Sequence, residues 1–241
     1  MSTLAPIHAR PDTTALLMAH AALRGEFARL AEACRAPGAE ALRAGIAAHT
    51  ALMLEVLHVH HEAEEDVLLP ALSGAAPHLR PGLAGLAARR AALAVPVARV
   101  RVGLTGPLDR LARPLEQLAE AVRAHLDTQE ELCLDAVRTL LPLSAWERFD
   151  EARRWRIPPA LRSRAAGVVL SYGSPEQLAP VHATGSPLPE PPALRSLRAF
   201  QAFRSFRAFR TFRRSFRSPL AAHHRRMRGV YGHLAAAGAD R

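Results

Sequence analysis

Residues 58–70, from His58 to Pro70, have the sequence HVHHEAEEDVLLP. Three histidines and four carboxylates fall within nine of these residues. Side chains four residues apart share one face of a helix, and His60–Glu64 and His61–Glu65 are two such pairs. A histidine and a carboxylate at this spacing can bind one metal ion from a rigid surface. The segment therefore predicts either a metal site or a solvated, charged helix end.

The surrounding pattern predicts that this segment ends a long helix, helix B, over residues 40–69. The face that carries His60 and Glu64 also carries the apolar residues Met53, Leu57 and Leu68. That face must point towards a core, whereas Glu62 and Asp66 point away from it. The inward direction favours the metal interpretation for His60 and Glu64.

Three further amphipathic segments predict helices, separated by Pro and Gly breaks. Pro70 is predicted to end helix B, and Pro96 to kink the helix that follows it. Four long helices with short connections indicate an all-α protein, an up-down-up-down four-helix bundle. The other three predicted helices are A at 11–36, C at 81–104 and D at 108–141.

Several polar residues lie on the apolar faces of the other helices. His20 is in the middle of the face of helix A, and His125 in that of helix D, so both can meet His60 and Glu64 in the bundle core. His49 is roughly 16 Å along helix B from His60, too far to share a metal, and is interpreted as a core or partly exposed histidine. Arg90 falls on the apolar face of helix C, where its charge must pair with a carboxylate or extend to solvent at the edge of the bundle.

Charge divides the 241-residue chain into two unequal parts. Residues 1–150 hold 15 Arg against 18 acidic residues, a net −3, whereas residues 151–241 hold 17 against 4, a net +13. The two cysteines, Cys34 and Cys133, do not make a disulfide framework. The first twelve residues lack a signal-peptide core, and no run of about 18 apolar residues predicts a membrane span. A soluble cytoplasmic protein is expected.

Composition predicts three regions: a bundle at 1–156, a Pro/Gly-rich irregular connection at 157–193 and an Arg/Phe-rich tail at 194–241. An apolar patch at 168–172 in the connection can dock on the bundle. Phe recurs every three residues from Phe200 to Phe212, interleaved with Arg. On a helix, Phe side chains at this spacing wind around the axis and do not form one apolar face. Either the repeat has no selected role, or residues 194–228 bind a polyanion, which would be nucleic acid or an anionic membrane. The tail can also be helical.

The order of these motifs resembles the hemerythrin-like (HHE cation-binding) family. The resemblance covers residues 10–142 and rests on the helix B signature His60-His61-x-x-Glu64-Glu65-x-x-Leu68-Leu69-Pro70, on a histidine in helix A, and on His125-Leu126 followed by acidic residues. It implies a four-helix bundle holding a non-haem iron pair between histidines and bridging carboxylates. It also implies a protein that binds or senses oxygen, or responds to iron, nitric oxide or peroxide.

The resemblance carries ligand roles onto particular positions. His20, His60 and Glu64 match the ligands of helices A and B, and His125 matches the helix D histidine. Arg90 stands about where the family usually has a helix C histidine, and Gln129 replaces a carboxylate.

Glu130, five residues after His125, matches an alternative carboxylate position. The open alternatives are His61 and Glu65 in place of His60 and Glu64.

These departures lead to two hypotheses of function. In the first, the chain is a non-haem iron protein that binds or senses oxygen or a related redox ligand, rather than an enzyme with turnover. Its site holds two irons, or Arg90, which cannot be a ligand, takes the second cation's place and pairs with Glu64, leaving one metal or none. In the second, a metal-free helical scaffold carries a tail that binds nucleic acid or membrane. No nucleophile–base pair, phosphate loop or CxxC motif indicates another enzyme class.

Overall fold

A computed structural model describes residues 10–178 together with His223, Arg226, Met227, Val230 and Tyr231. These residues form helices and turns with no β-strand, so the all-α prediction is confirmed. The α-helices are α1 (Thr14–Arg35), α2 (Arg43–Ala63), α3 (Leu69–Ala75), α4 (Arg80–Ala92), α5 (Ala94–Gly103), α6 (Leu108–Thr139), α7 (Leu143–Trp155) and α8 (Pro159–Leu170).

Helix α1 begins and ends at local signals in the sequence. The Asp12 Oδ1 atom accepts the backbone N–H of Thr14 at 2.9 Å, which satisfies one free donor of the first turn. The helix stops before Pro37, and Gly38 takes a φ of +79°, a left-handed conformation that glycine adopts without steric cost. The apolar face of α1, which includes Phe27 and Leu30, packs mainly along α6.

Predicted helix B continues past Pro70, contrary to expectation. A 3₁₀ turn (Ala39–Leu42) leads into α2, a π-helical turn (Glu64–Leu68) follows, and α3 then extends to Ala75. Pro70 lacks an N–H, and its ring would clash with the carbonyl four residues earlier in a regular α-helix. The wider π-turn, in which the Leu69 N–H bonds the Glu64 carbonyl, lies directly before the proline. The helix accommodates Pro70 by widening instead of ending.

Predicted helix C is interrupted as its proline indicated. It consists of α4 and α5, with a turn at Leu93 three residues before Pro96. The apolar stripe survives the break, because Leu83, Leu86, Leu93 and Val100 are all buried. Predicted helix D corresponds to α6, in which Cys133 is buried and Leu132 is half-buried. The residues that follow α6 form the separate helix α7.

The predicted irregular connection is wrong over Pro159–Leu170, which forms α8. Pro158 and Pro159 stand at its N-terminus, where proline suits the first turn because its missing N–H has no intrahelical role. The patch at 168–172 does dock: Val168 joins the core, and the Tyr172 hydroxyl donates to Glu26 at 2.8 Å. Most of the Arg/Phe tail, 194–241, lies outside the described residues, so its polyanion contact stays a prediction.

The core consists of two apolar clusters along the bundle. One contains Ala22, Leu57 and Leu126 among many others, and the second contains Leu16, Ala63 and Cys133. Burying a Leu or Phe side chain contributes about 1.5–3 kcal/mol. Between these two clusters, α1, α2 and α6 carry the buried polar side chains His20, His60, His61 and Gln129. This polar layer is the candidate site.

The helical stretch Ala39–Ala75 is long and apolar enough to cross a membrane by length and composition alone, with a mean hydropathy of 1.2 in its most apolar window. Half of that window is buried inside the protein. Core helices pass the same test, so the stretch is weak support for a membrane span.

Candidate metal centre

Five side chains from four elements of the fold converge in the polar layer. α1 supplies His20, α2 supplies His60 and His61, the π-turn begins with Glu64, and α6 supplies His125. All five are buried, His61 the least at 9% exposed. The layer lies between the two apolar clusters, which exclude water from it on both sides.

The first donor set consists of His20, His60 and Glu64. The Nε2 atom of His60 lies 3.2 Å from His20 Nε2 and 2.8 Å from Glu64 Oε1. A proton on His60 Nε2 therefore faces two acceptors. A metal ion that displaced this proton would meet two imidazole nitrogens and one carboxylate oxygen, because metal binding to histidine requires the unprotonated nitrogen.

The second donor set consists of His61, Glu64 and His125. The rings of His61 and His125 are 5.1 Å apart and nearly perpendicular. Among the described residues, His61 Nε2 and both ring nitrogens of His125 are buried without a hydrogen-bond partner. Buried polar atoms are normally paired, so three such nitrogens in one place need an explanation, and a cation would supply it.

Glu64 belongs to both donor sets, and within each set the ligand atoms lie within 4.8 Å of one another. The carboxylate also accepts a hydrogen bond from the side-chain amide of Gln129. Gln129 is thus a donor that holds Glu64 in place, rather than the ligand that a carboxylate at this position would be.

Glu130 does not face either donor set. Its Oε1 atom lies 2.6 Å from His20 Nδ1 and 2.8 Å from Arg24 Nη1. A carboxylate on one ring nitrogen fixes the tautomer of a histidine and leaves the lone pair on the other nitrogen, here Nε2. The sequence assigned Glu130 to the metal, but the structure places it behind His20 as an orienting group.

Arg90 is not at Glu64, and the hypothesis that it neutralises Glu64 is wrong. Its guanidinium pairs with Glu65, with Arg90 Nη1 2.5 Å from Glu65 Oε2. The expectation that Arg90 meets a carboxylate is confirmed, although the partner is the neighbour of the one proposed. Arg90 therefore does not compete with the histidines for the Glu64 carboxylate.

Burial keeps His20, His61 and His125 neutral. It lowers the pKa of His20 to about 4 and that of His61 to about 3, and it also lowers the pKa of His125. Burial alone would raise the pKa of Glu64, but attraction to His60 and its hydrogen bond lower that pKa to about 2. Near neutral pH the layer therefore combines free imidazole lone pairs with a carboxylate anion, which suits a cation.

The donor set fits a metal of the first transition series. Imidazole and carboxylate ligands suit zinc, copper, iron and nickel, whereas magnesium and calcium prefer oxygen ligands throughout. Each donor set offers three protein atoms and leaves room in the coordination sphere for other ligands. Iron is compatible with these residues, and they do not select it over its neighbours.

His61 is the residue that the sequence prediction did not place among the ligands. On a helix, Glu64 lies about one turn beyond both His60 and His61, at i+4 from the first and i+3 from the second. Both consecutive histidines can thus reach the carboxylate. This spacing is the sequence feature that could have predicted His61 as a ligand. Glu65, the other open alternative, is more than half exposed and pairs with Arg90.

Comparison with protein families gives one match. The model of the hemerythrin HHE cation-binding domain matches residues 12–137, slightly more than half of the chain. The matched region contains every residue of both donor sets. No curated protein and no solved structure gives a significant match.

Proposed function

Because the chain belongs to the hemerythrin HHE cation-binding family, we propose that it binds non-haem iron at the Glu64 cluster and binds or senses dioxygen or a related redox ligand. Helices α1, α2, α4–α5 and α6 would form the up-down-up-down bundle around it. One observation carries the proposal: two groups of three buried ligand atoms share Glu64.

Because Glu64 belongs to both donor sets, we expect each set to bind one ion. His20 and His60 provide the nitrogens of one set, and His61 and His125 provide those of the other. His61 thereby supplies the nitrogen that Arg90 cannot supply from α4. The expected loading is two ions per chain rather than one.

Other residues of the polar layer hold the metal ligands in position before an ion binds. Glu130 and Gln129 hold His20 and Glu64 through hydrogen bonds, so little ordering is needed when an ion binds. The apolar clusters on both sides limit water access and lower the local dielectric. Bound iron would supply an open coordination position and a change of redox state.

Metal analysis of the full chain tests the proposal. Protein purified without added metal, and protein reconstituted with Fe²⁺ under reducing conditions, should each contain iron, approaching two ions per chain after reconstitution. The optical spectrum of the reduced, reconstituted protein should change when dioxygen is admitted. Full-length folded protein that takes up neither iron nor another divalent transition metal would contradict the proposal.

Single substitutions separate the two donor sets. His60→Ala should remove the ion of the first set, and His125→Ala that of the second, each leaving about one ion per chain. The matched control is His58→Ala, because His58 is exposed on the same helix and belongs to neither set. Unchanged loading in both variants would show that the ions bind elsewhere.

A further inference from the structure

A cavity of about 250 Å³ lies apart from the Glu64 cluster. Its walls come from α2, α8 and the described residues of the C-terminal segment, His223 to Val230. None of its lining residues belongs to either donor set. His49, the wall residue on the helix of His60, is eleven residues from it, roughly 16 Å along the axis.

The described part of the cavity wall carries several basic side chains. These are His49, Arg164, His223 and Arg226. No Asp or Glu is among the lining residues that the structure describes. The remaining wall is largely apolar, formed by Leu52, Val168, Met227 and Val230.

Glu26, the carboxylate behind His49, pairs with that one residue of the wall. Its Oε2 atom bonds His49 Nε2 at 2.6 Å and the Tyr231 hydroxyl at 2.5 Å. Its Oε1 atom accepts from Tyr172 at 2.8 Å and from Arg29 at 3.2 Å. Four donors occupy the two oxygens, so Glu26 has little capacity left for Arg164.

Arg164 supplies an unsatisfied donor at the cavity. Its Nε atom is buried and has no hydrogen-bond partner among the described residues. An arginine stays protonated, and leaving a buried donor unpaired costs about 1–3 kcal/mol. An anion bound beside Arg164 would remove this cost.

We propose that this cavity binds a small organic anion, a carboxylate with a short aliphatic chain. The guanidinium of Arg164 would hold the carboxylate, for which its planar fork is suited, and the chain would lie against Leu52, Val168 and Val230. The volume equals that of roughly eight water molecules at about 30 Å³ each. Inorganic phosphate would leave the apolar half of the wall uncovered.

Titration of the full chain with hexanoate tests the site, by calorimetry and by nuclear magnetic resonance. Hexanoate should bind saturably, and hexanol and inorganic phosphate should each bind at least tenfold more weakly. The metal-free protein should give the same result as the iron-loaded protein. Failure of the iron proposal and failure of this one are therefore distinguishable.

Two variants test the location. Arg164→Gln should weaken hexanoate binding at least tenfold, whereas Arg148→Gln, at an exposed arginine on α7, should not change it. Ala48→Leu, at an exposed lining residue, should block the cavity without disturbing the core. Circular dichroism and the thermal midpoint establish that each variant is folded.

Three results would overturn the proposal: no saturable hexanoate binding, equal binding by wild type and both folded variants, or tighter binding of phosphate than of hexanoate.

Discussion

Glu64 is the side chain on which the candidate site depends, because it is the only carboxylate in either donor set. Glu64→Gln keeps the size of the side chain and removes its charge. Metal bound per chain should fall at least tenfold, since both sets lose their anionic ligand. Metal analysis after reconstitution measures this, with Glu62→Gln on the same helix as the control. A variant that still holds two ions would show that Glu64 is not the shared ligand.

Glu130 should behave differently, because it contacts His20 rather than the ion. Removing such an orienting partner typically costs 10–100-fold in metal affinity while the ligands remain. Glu130→Gln should thus bind metal with an affinity lowered by about that factor, measured by competition with a chelator. The exposed Glu131→Gln is the matched control. Complete loss of metal, equal to that in Glu64→Gln, would instead make Glu130 a ligand.

Residue-level patterns predicted much of the cluster. Helical spacing directed His60 and Glu64 inward, and the structure brings them together with His20 and His125. The spacing could not predict that Glu130 would be drawn to His20 and Arg24, because that depends on the relative rotation of α1 and α6. For the same reason Arg90 was assigned to Glu64 when its side chain reaches Glu65 instead.

At the scale of elements, the π-turn is the feature that the sequence did not predict. Helix-breaking residues indicate where a helix is disturbed, but not whether it ends, bends or widens. Pro70 caused widening, whereas Pro96 divided one predicted helix into α4 and α5. Pro158 and Pro159 introduced α8, where composition alone predicted an irregular connection.

Pro70→Ala tests whether the π-turn matters for the site. Alanine restores the N–H and removes the ring, so the segment can continue as a regular α-helix. Glu64 would then rotate relative to His60 and His61, and metal affinity should fall several-fold. The metal-free protein should be at least as stable as wild type, because alanine is the best helix former.

Chelator competition and thermal unfolding of the metal-free protein measure the two effects. Pro81→Ala, in the first turn of α4, is the control, because proline is tolerated there. Unchanged metal affinity in Pro70→Ala would show that the π-turn does not position Glu64.

At the scale of the whole molecule, Glu26 joins parts of the chain that are distant in sequence. From α1 it bonds His49 in α2, Tyr172 after α8 and Tyr231 in the C-terminal segment. A buried carboxylate is costly unless it is fully paired, so these partners must assemble together. Composition separated the C-terminal region from the bundle, whereas this cluster attaches Tyr172 and Tyr231 to the bundle core.

The Glu26 cluster predicts a particular loss of stability in acid. Burial would raise the pKa of Glu26, but the hydrogen bond and charge of His49, with Tyr231 and Arg29, lower it from 4.5 to about 2. A pKa lowered by folding stabilises the protein above pH 4.5, and this contribution disappears as the pH falls towards 2. It amounts to on the order of 3 kcal/mol.

Glu26→Gln should therefore be less stable than wild type at pH 7, and the difference should shrink between pH 5 and pH 2. Urea unfolding of the metal-free protein across this range measures it, and Glu32→Gln, exposed on the same helix, controls for loss of a charge. Other carboxylates titrate in both proteins, so only the difference between variants reports on Glu26. A difference that stayed constant with pH would mean that Glu26 is not ionised in the folded protein, and that neutral hydrogen bonds hold the C-terminal segment on the bundle.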